Sequence, residues 1–358
     1  MTRISSGIGL SLLITVLTSI TTVSPAAAQD DCAPIGIVSF VCGPVNAEDL
    51  VSVPGTDWIL ASAMAPGTAF YLIDATTGAW SVPAIQVDHD TTTFPNCPAP
   101  PDMAHFESHG LNVRAQSATS ALLYSVVHGG RESIEIFHVD SSGNSPALTW
   151  RGCVLMPDGL PANSVASFAD GSIVATILIM PGKTFADSVA MRPTGSVVKW
   201  SPGDEGFIFL GNSELPGNNG IEVSADSSEI YVVSSGFQTV VAYSNTNPLR
   251  QLRSTPQLPI TPDNIHFDAD GRLLTAGMKN DVPECGGAPG PEHDLTTLRT
   301  CPRGTIAIAI DPAAMAMEIL LETDAFEEFS NGTMVLLTGE RYWIGTFSGD
   351  RIAYGDLP

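Results

Sequence analysis

Hydrophobic positions along the chain occur in short runs, and polar turn residues separate these runs. Runs such as LLYSVV (122–127) and EIYVVSS (229–235) are rich in β-branched and aromatic residues, with Gly, Pro, Asn and Asp between them. This pattern is typical of strands joined by turns. Few stretches have a helical period, and the segment DPAAMAMEILLE (311–322) is ambiguous because Ala and Met favour helices. The chain is therefore predicted to be all-β.

An internal repeat refines this prediction. Three stretches align without gaps: NSVASFADGSIVAT from Asn163, NGIEVSADSSEIYVV from Asn219 and DNIHFDADGRLLTAG from Asp263. In each stretch an apolar residue stands two positions after the start, and an Asp stands seven positions after it. A second apolar run follows that Asp. The repeat unit is a polar start, a strand, a hairpin turn and a second strand.

Looser copies of the unit begin at Glu48, His109 and Asn331. The six starts are spaced by 61, 54, 56, 44 and 68 residues. Six strand-rich units at this spacing predict a six-bladed β-propeller with four-stranded blades around a central channel. A β-sandwich is the alternative all-β fold, but it does not require six similar hairpins.

The polar starts have a shared consequence in a propeller. The innermost strands run along the channel, so equivalent positions of successive blades meet at one mouth. Five oxygen-bearing residues then form a ring: Glu48, Asn163, Asn219, Asp263 and Asn264. Carboxylate and amide oxygens in loose geometry suit Ca²⁺, whereas Mg²⁺ demands a stricter octahedron. Each of these residues taken alone is more typical of a turn cap, as Asn219 is between Gly217 and Gly220, and it is their equivalent positions in the repeat that favour a metal site.

The charge balance restricts the partners. The full chain carries a formal charge of −23, and removal of residues 1–28, which contain Arg3 and no acid, makes it −24. Such an acidic surface argues against nucleic acid or an anionic membrane as a partner. It is compatible with a divalent cation and with a small-molecule substrate.

The N-terminus predicts export. Arg3 precedes an apolar run from Ile8 to Ile20, and a small-residue stretch ends at Ala28. This is the pattern of a cleavable secretory signal peptide over 1–28, and the run is short for the alternative, a membrane anchor. Residues 29–358 are then expected to form a single propeller domain, secreted or periplasmic, with no membrane segment after removal of the signal.

Six cysteines in an exported chain favour disulfides over thiol chemistry. No Cys-x-x-Cys or Cys/His cluster has zinc spacing. Fifteen complete pairings are open from sequence alone. We expect Cys285 to pair with Cys301 around a Gly/Pro-rich surface loop (284–294) and Cys32 to pair with Cys42, which leaves Cys97 with Cys153.

Seven motifs carry a resemblance to a known family. They are NAEDLVSVPG, HGLNVR, LLYSVVHGG, LPANSVA, NNGIEVSADSSEIYVVSS, TPDNIHFDADGRLLTAG and WIGTFSGDRIAYGDL, spread from residue 46 towards the C-terminus. In their order and spacing the chain resembles the paraoxonase/arylesterase family of calcium-dependent lactonases, which is related to the gluconolactonase-like and strictosidine-synthase-like propellers. The motifs extend over nearly all of the chain that follows the predicted signal.

The resemblance implies roles for individual residues. Glu48, Asn163, Asn219, Asp263 and Asn264 match the catalytic calcium ligands, and His109 and His128 match a histidine pair above the metal. The implied function is hydrolysis of lactones or aryl esters, in which a metal-bound carbonyl is attacked by histidine-activated water. Alternatives are a sugar lactonase of the gluconolactonase type and a non-catalytic, calcium-stabilised binding module. A serine α/β-hydrolase is disfavoured because GxSxG is absent.

Several features depart from the family. Its second, structural calcium uses the position of Asp49, which matches, and the position of Ser164, where an Asp is expected, so we expect one ion. The C-terminal end GDLP lacks the family's cysteine, so pairing of N- and C-terminal strands must close the ring. Of the other histidines, only His266 is expected near the site or on a blade face. No role is predicted for the remaining four: His89, His105, His138 and His293.

Overall fold

The structure is a computed structural model that describes residues 32–288, 290 and 300–358. The predicted signal peptide lies outside the described residues, as do His293 and part of the predicted 284–294 loop. The described strands form six sheets arranged as the blades of a propeller.

The first strand, β1 (Ser39–Cys42), belongs to the last blade. Blade 1 contains β2 (Leu50–Ser52), β3 (Trp58–Ser62), β4 (Phe70–Asp74) and β5 (Trp80–Ser81). Blade 2 contains β6 (Ile85–Val87), β7 (Glu107–Ser117), β8 (Ser120–His128), β9 (Ser133–Asp140) and β10 (Ala147–Leu155). Blade 3 contains β11 (Val165–Ser167), β12 (Ile173–Ile177), β13 (Ser196–Trp200) and β14 (Ile208–Phe209), with the helix α1 (Phe185–Val189) between its second and third strands.

The remaining blades follow the same order. Blade 4 contains β15 (Asn218–Val223), β16 (Glu229–Ser234), β17 (Thr239–Ser244) and β18 (Arg250–Ser254). Blade 5 contains β19 (Ile260–Phe267), β20 (Leu273–Lys279), β21 (Thr305–Ile310) and β22 (Met317–Thr323). Blade 6 contains β23 (Gly332–Thr338), β24 (Arg341–Thr346) and β25 (Arg351–Asp356), completed by β1. Short 3-10 turns occupy Pro157–Gly159 and Pro283–Cys285.

The innermost strands contact one another around the axis in the order β2, β7, β11, β15, β19, β23 and back to β2. Five of the six predicted repeat starts fall within two residues of the beginnings of these strands, and the sixth, Asp263, is the fourth residue of β19. The predicted six-bladed propeller is therefore confirmed. The segment 311–322 that was ambiguous in sequence forms a turn around the Asp311 carboxylate, followed by β22.

Blade 2 departs from the four-strand prediction. A fifth strand, β6, pairs in parallel with the outer edge of β10, with Leu148 opposite Ile85. The chain between β5 and β7 supplies this strand, which accounts for the long first interval of the repeat. An added strand satisfies the backbone groups of an edge that would otherwise face solvent.

The ring closes through its ends. β1 pairs antiparallel with β25, with Ser39 opposite Tyr354 and Cys42 opposite Arg351. The last blade is thus built from the first described strand and the last three, as the predicted pairing of N- and C-terminal strands requires.

The cysteine pairings agree with the prediction. Disulfides join Cys32 to Cys42, Cys97 to Cys153 and Cys285 to Cys301. The second of them fastens the long segment between blades 1 and 2 to β10. Within the described part of the chain no helix is long and apolar enough to cross a membrane.

Apolar side chains from neighbouring blades fill the space between the sheets. Between blades 1 and 2, Phe70 packs edge-on against Phe106 and Phe137, with ring centroids 5.8 and 5.2 Å apart. All three rings are almost fully buried. This packing holds the blades at fixed angles and so positions the ends of the inner strands.

Candidate metal centre and active site

The five predicted ring residues stand at the same end of four inner strands. Four of them are nearly inaccessible, with exposed fractions of 1% for Glu48 and Asn264, 7% for Asn163 and 8% for Asn219. Asp263 keeps partial solvent contact. Buried polar side chains in such a position need partners, and their partners define what the site can do.

Backbone irregularities interrupt three of the inner strands at predicted site residues. The strand register shifts between Ser108 and Leu111 in β7, between Asn218 and Ile221 in β15, and between Pro262 and Ile265 in β19. A β-bulge at such a point rotates a side chain out of the regular alternation. Each bulge contains a predicted site residue.

Glycines permit the bulges of neighbouring blades to approach. A Cβ at Gly110 would lie 2.6 Å from the Asn163 carbonyl oxygen, and one at Gly220 would lie 2.6 Å from the Asp263 carbonyl oxygen. Any larger residue at either position would force the inner strands apart. The His-Gly and Asn-Gly pairs of the repeat are therefore packing requirements of the ring.

The two adjacent asparagines at the start of β15 have different roles. The Asn218 side chain accepts from the Leu215 N–H and donates to the Ser213 carbonyl, at 2.9 and 2.7 Å, so it fastens the preceding turn. Asn219 donates through Nδ2 to Ser235 Oγ at 3.1 Å, and its Oδ1 has no partner. One asparagine is a turn residue, and the other is available to a ligand.

Unpartnered oxygens concentrate in the ring. Among the described residues, four buried side-chain oxygens lack any hydrogen-bond donor, and all four belong to the predicted ligand set: Glu48 Oε2, Asn163 Oδ1, Asn219 Oδ1 and Asn264 Oδ1. A buried acceptor without a donor costs about 1–3 kcal/mol. Four of them in one ring, with no N–H group directed at any of them, match the coordination shell of a hard cation.

Among the described residues, no Lys or Arg side chain forms an ion pair with the two carboxylates of the ring, and His109 is the nearest group that can carry a positive charge. Burial and the neighbouring Glu48 carboxylate hold the pKa of Asp263 well above its ordinary value. Burial lowers the pKa of His109, but attraction to the carboxylates of Glu48 and Asp263 outweighs it and the pKa is raised. Two acids that share a buried site disfavour a second negative charge, which raises the pKa of Asp263. They also favour a positive charge nearby, which raises the pKa of His109.

No group of three or more His, Cys, Asp or Glu side chains in the described ranges is arranged to hold a metal ion. The ring has a different composition, in which three amide oxygens supplement two carboxylates. Hard oxygen donors of this kind fit calcium, and the absence of thiolate or clustered imidazole donors disfavours zinc.

A chain of hydrogen bonds leads away from the ring. His109 Nε2 lies 3.6 Å from Glu48 Oε1, and His109 Nδ1 lies 3.0 Å from His128 Nε2. His128 Nδ1 lies 2.6 Å from Glu132 Oε2. The sequence predicted the histidine pair but missed Glu132. Its signal is an acid four residues after His128, and its contact depends on the turn between β8 and β9.

A second polar chain crosses the channel one layer further along the inner strands. His266 is buried and lies 2.9 Å from Asp49 Oδ1 through Nε2 and 3.3 Å from Glu222 Oε2 through Nδ1. The two carboxylates raise its pKa to about 10 although burial alone would lower it. His266 thus lies next to the ring. Sequence reasoning did not identify Glu222, because the partners come from three different blades.

Asp49 already has three hydrogen-bond partners, which leaves little capacity for a second ion. Its Oδ1 also accepts from the Leu50 N–H and its Oδ2 accepts from the Leu111 N–H, at 2.9 and 2.7 Å. Ser164, where the family resemblance calls for an acid, carries no charge, and its N–H donates to Thr176 Oγ1. The residues present do not fit the structural cation.

Fold and site together define a six-bladed propeller with an oxygen-lined cage at one end of its channel. No family model matches the sequence, and neither does any curated protein. Solved structures do match. A gluconolactonase from Xanthomonas campestris is 16% identical with a TM-score of 0.54, over 90% of this chain and 89% of that one.

Two further structures are similar. A luciferin-regenerating enzyme is 13% identical with a TM-score of 0.53, over 90% of this chain and 94% of that one. A calcium-binding regucalcin from Agrobacterium tumefaciens is 11% identical with a TM-score of 0.51, over 88% of this chain and 92% of that one. At these identities the likeness establishes the fold.

Proposed function

We propose that the protein is a calcium-dependent hydrolase of lactones or aryl esters. The observation that carries the proposal is the set of four buried, unpartnered oxygens beside Asp263, adjacent to the histidine pair. Residues that would hold the ion are Glu48, Asn163, Asn219, Asp263 and Asn264. When bound, calcium would polarise the substrate carbonyl, stabilise the negative charge that develops on its oxygen, and neutralise the two carboxylates of the ring.

The hydrogen-bond chain supports one pair of tautomers for the two histidines. Because the Glu132 carboxylate accepts from His128 Nδ1–H, His128 Nε2 carries a lone pair and accepts from His109 Nδ1–H. With calcium bound, the ion would offset the carboxylates of Glu48 and Asp263 that raise the pKa of His109, and His109 Nε2 would then be unprotonated on the side that faces the ring. A base at that atom removes a proton from an attacking water, and His128 with Glu132 stabilises the charge that His109 acquires.

A hydrolysis panel tests this function. Purified protein is assayed against aliphatic lactones, gluconolactone and phenyl acetate, before and after treatment with a calcium chelator, and again after addition of calcium or magnesium. We expect hydrolysis of at least one substrate that the chelator abolishes and calcium restores better than magnesium. Preference for gluconolactone would support the sugar-lactonase alternative. A calcium-loaded protein that hydrolyses none of the panel would support the binding module instead.

We also propose that the protein acts outside the cytoplasm. The signal-like sequence over 1–28 and the three disulfides support this proposal. N-terminal sequencing of the protein from the periplasm or medium of the native producer tests it, and a mature start at Gln29 is expected. Protein that retains Met1 and is found only in the cytoplasm would contradict it.

A further inference from the structure

The channel has a second cavity at the end away from the ring. It has a volume of about 830 Å³ and is lined by residues that follow the ring positions along the inner strands, including Val51, Val113, Val223, Phe267 and Leu336. The buried side chains of Asn112, Glu222 and His266 contribute polar surface. Most of the wall is apolar. Volume and lining fall within the range of small-molecule sites.

The acidic side chains of this cavity are already paired. Glu222 contacts His266, and its Oε1 accepts from the Val223 N–H at 2.8 Å. Asp268 is paired with Arg272, whose Nε donates to it at 2.9 Å. Neither carboxylate therefore requires a cationic ligand.

The guanidinium of Arg114 is the exception. Its Nε and Nη2 donate to the Ser167 carbonyl oxygen, which is neutral, and among the described residues its Nη1 donates no hydrogen bond. Seven other arginines of the described chain form ion pairs with Asp or Glu, namely Arg131, Arg151, Arg192, Arg253, Arg272, Arg341 and Arg351. Arg114 forms none with the residues described, although it is half-buried in a strongly acidic protein. Two other described arginines also lack an ion pair, but Arg250 is exposed and Arg303 donates to three backbone carbonyl oxygens.

We propose that this second cavity binds a small organic acid, with its carboxylate on Arg114 and its apolar body against the walls. The bond to Ser167 fixes the plane of the guanidinium, so the fork is preorganised for a planar anion. A partly buried guanidinium without a counter-ion is stabilised more by a negatively charged acceptor than a fully exposed guanidinium would be. The site does not depend on the ring or on the proposed hydrolysis.

Calorimetry with three probes tests the proposal. The probes have eight-carbon chains and differ in the charge of the head group. Octanoate, octanol and octylamine are titrated into the folded full-length protein, its Arg114→Gln variant, and a control variant, Arg250→Gln. Arg250 is exposed in β18, the outermost strand of blade 4, whereas Arg114 lies in blade 2. We expect octanoate to bind roughly 10- to 100-fold more tightly than octanol. Arg114→Gln removes this preference, and Arg250→Gln retains it.

A second variant distinguishes a loss of binding from a folding defect caused by Arg114→Gln. Ala225 is exposed at the edge of the cavity, so Ala225→Trp fills the opening and leaves Arg114 intact. Octanoate binding should be lost in this variant while thermal stability is kept. Equal affinity for octanoate and octanol, tighter binding of octylamine, no binding of octanoate, or binding that survives in both Arg114→Gln and Ala225→Trp would each overturn the proposal.

Discussion

Asn264 Nδ2 donates to Glu48 Oε1 at 2.6 Å, and this bond joins side chains 216 residues apart in sequence. The bond fixes the orientation of the Asn264 amide, because only the NH₂ group can donate to a carboxylate. Asn264 Oδ1 is therefore turned away from Glu48, and Glu48 Oε2 is left without a donor. Both free oxygens belong to the ring.

The first prediction concerns charge in the ring. Asp263→Ala leaves Glu48 as the only carboxylate among the proposed ligands, and calcium affinity should fall about a hundredfold, because ligand charge sets calcium affinity over steps of this size. Competition with a fluorescent chelator measures it. Asp226→Asn, an exposed turn acid, is the control and should bind calcium as the wild type does. Unchanged affinity in Asp263→Ala would place the ion elsewhere.

The second prediction separates proton transfer from metal binding. His109→Gln should lower kcat about a hundred- to ten-thousandfold, the usual contribution of a general base, with little change in calcium affinity. His138, which bonds to Ser120 Oγ at the other end of β8, provides the control His138→Gln. Full turnover in a His109→Gln, His128→Gln double variant would show that another base acts.

The third prediction assigns Glu132 a positioning role. Glu132→Gln replaces the charged acceptor of His128 with a neutral amide oxygen, so the positive charge on the histidine pair is no longer offset, and kcat should fall roughly 10- to 100-fold while KM and calcium affinity stay near wild type. The control is Ser120→Ala, which removes the hydrogen-bond partner of His138, 2.8 Å from its Nε2 and far from the ring. This variant should leave kcat unchanged. Equal kcat in Glu132→Gln and wild type would mean that proton transfer depends on the two histidines and not on Glu132.

The fourth prediction concerns the buried chain of charges. His266→Leu leaves Asp49 and Glu222 without their shared partner, and the free energy of unfolding should drop by about 3–5 kcal/mol. Urea unfolding followed by fluorescence measures this change. The comparison variant is His138→Leu, since His138 lies outside the channel and its side chain bonds to Ser120 alone among the described residues. Equal stability of the two variants would mean that His266 contributes no net charge compensation.

The fifth prediction ranks two of the disulfides by their contribution to the free energy of unfolding. The Cys97–Cys153 bond closes a segment of 56 residues and Cys285–Cys301 one of 16. By the entropy of loop closure, replacing both cysteines with serine should cost about 4 kcal/mol for the first pair and about 3 kcal/mol for the second. Denaturant titration of the two double variants gives the order. Reactive thiols in denatured wild-type protein would contradict the pairings themselves.

The repeat was sufficient to predict the blades, because each blade begins with the same local pattern of polar start and hairpin. The positions of Glu48, Asn163, Asn219 and Asp263 relative to their strands followed from that pattern alone. The contacts of Glu132, Glu222 and Arg114 were not predictable in this way. They depend on which side chains face each other across turns or blades, and neither distance along the chain nor periodicity encodes that.

The same limit applies to β6. Its short sequence, IQV, has no distinguishing pattern, and it becomes a strand because the outer edge of β10 offers unpaired backbone groups. The tertiary environment decided the outcome where the local sequence was neutral.

The pairing of β1 with β25 has a consequence for the order of synthesis. All five proposed ligands have been added to the chain once residue 264 is translated, yet β1 has no partner until β25, the last strand of the last blade, is made. Until then blade 6, which lies between the blades that carry Glu48 and Asn264, is incomplete. A nascent chain can thus contain all five proposed ligands before the ring of blades is closed, so we expect the proposed cation site to form only after the final strand has paired with β1.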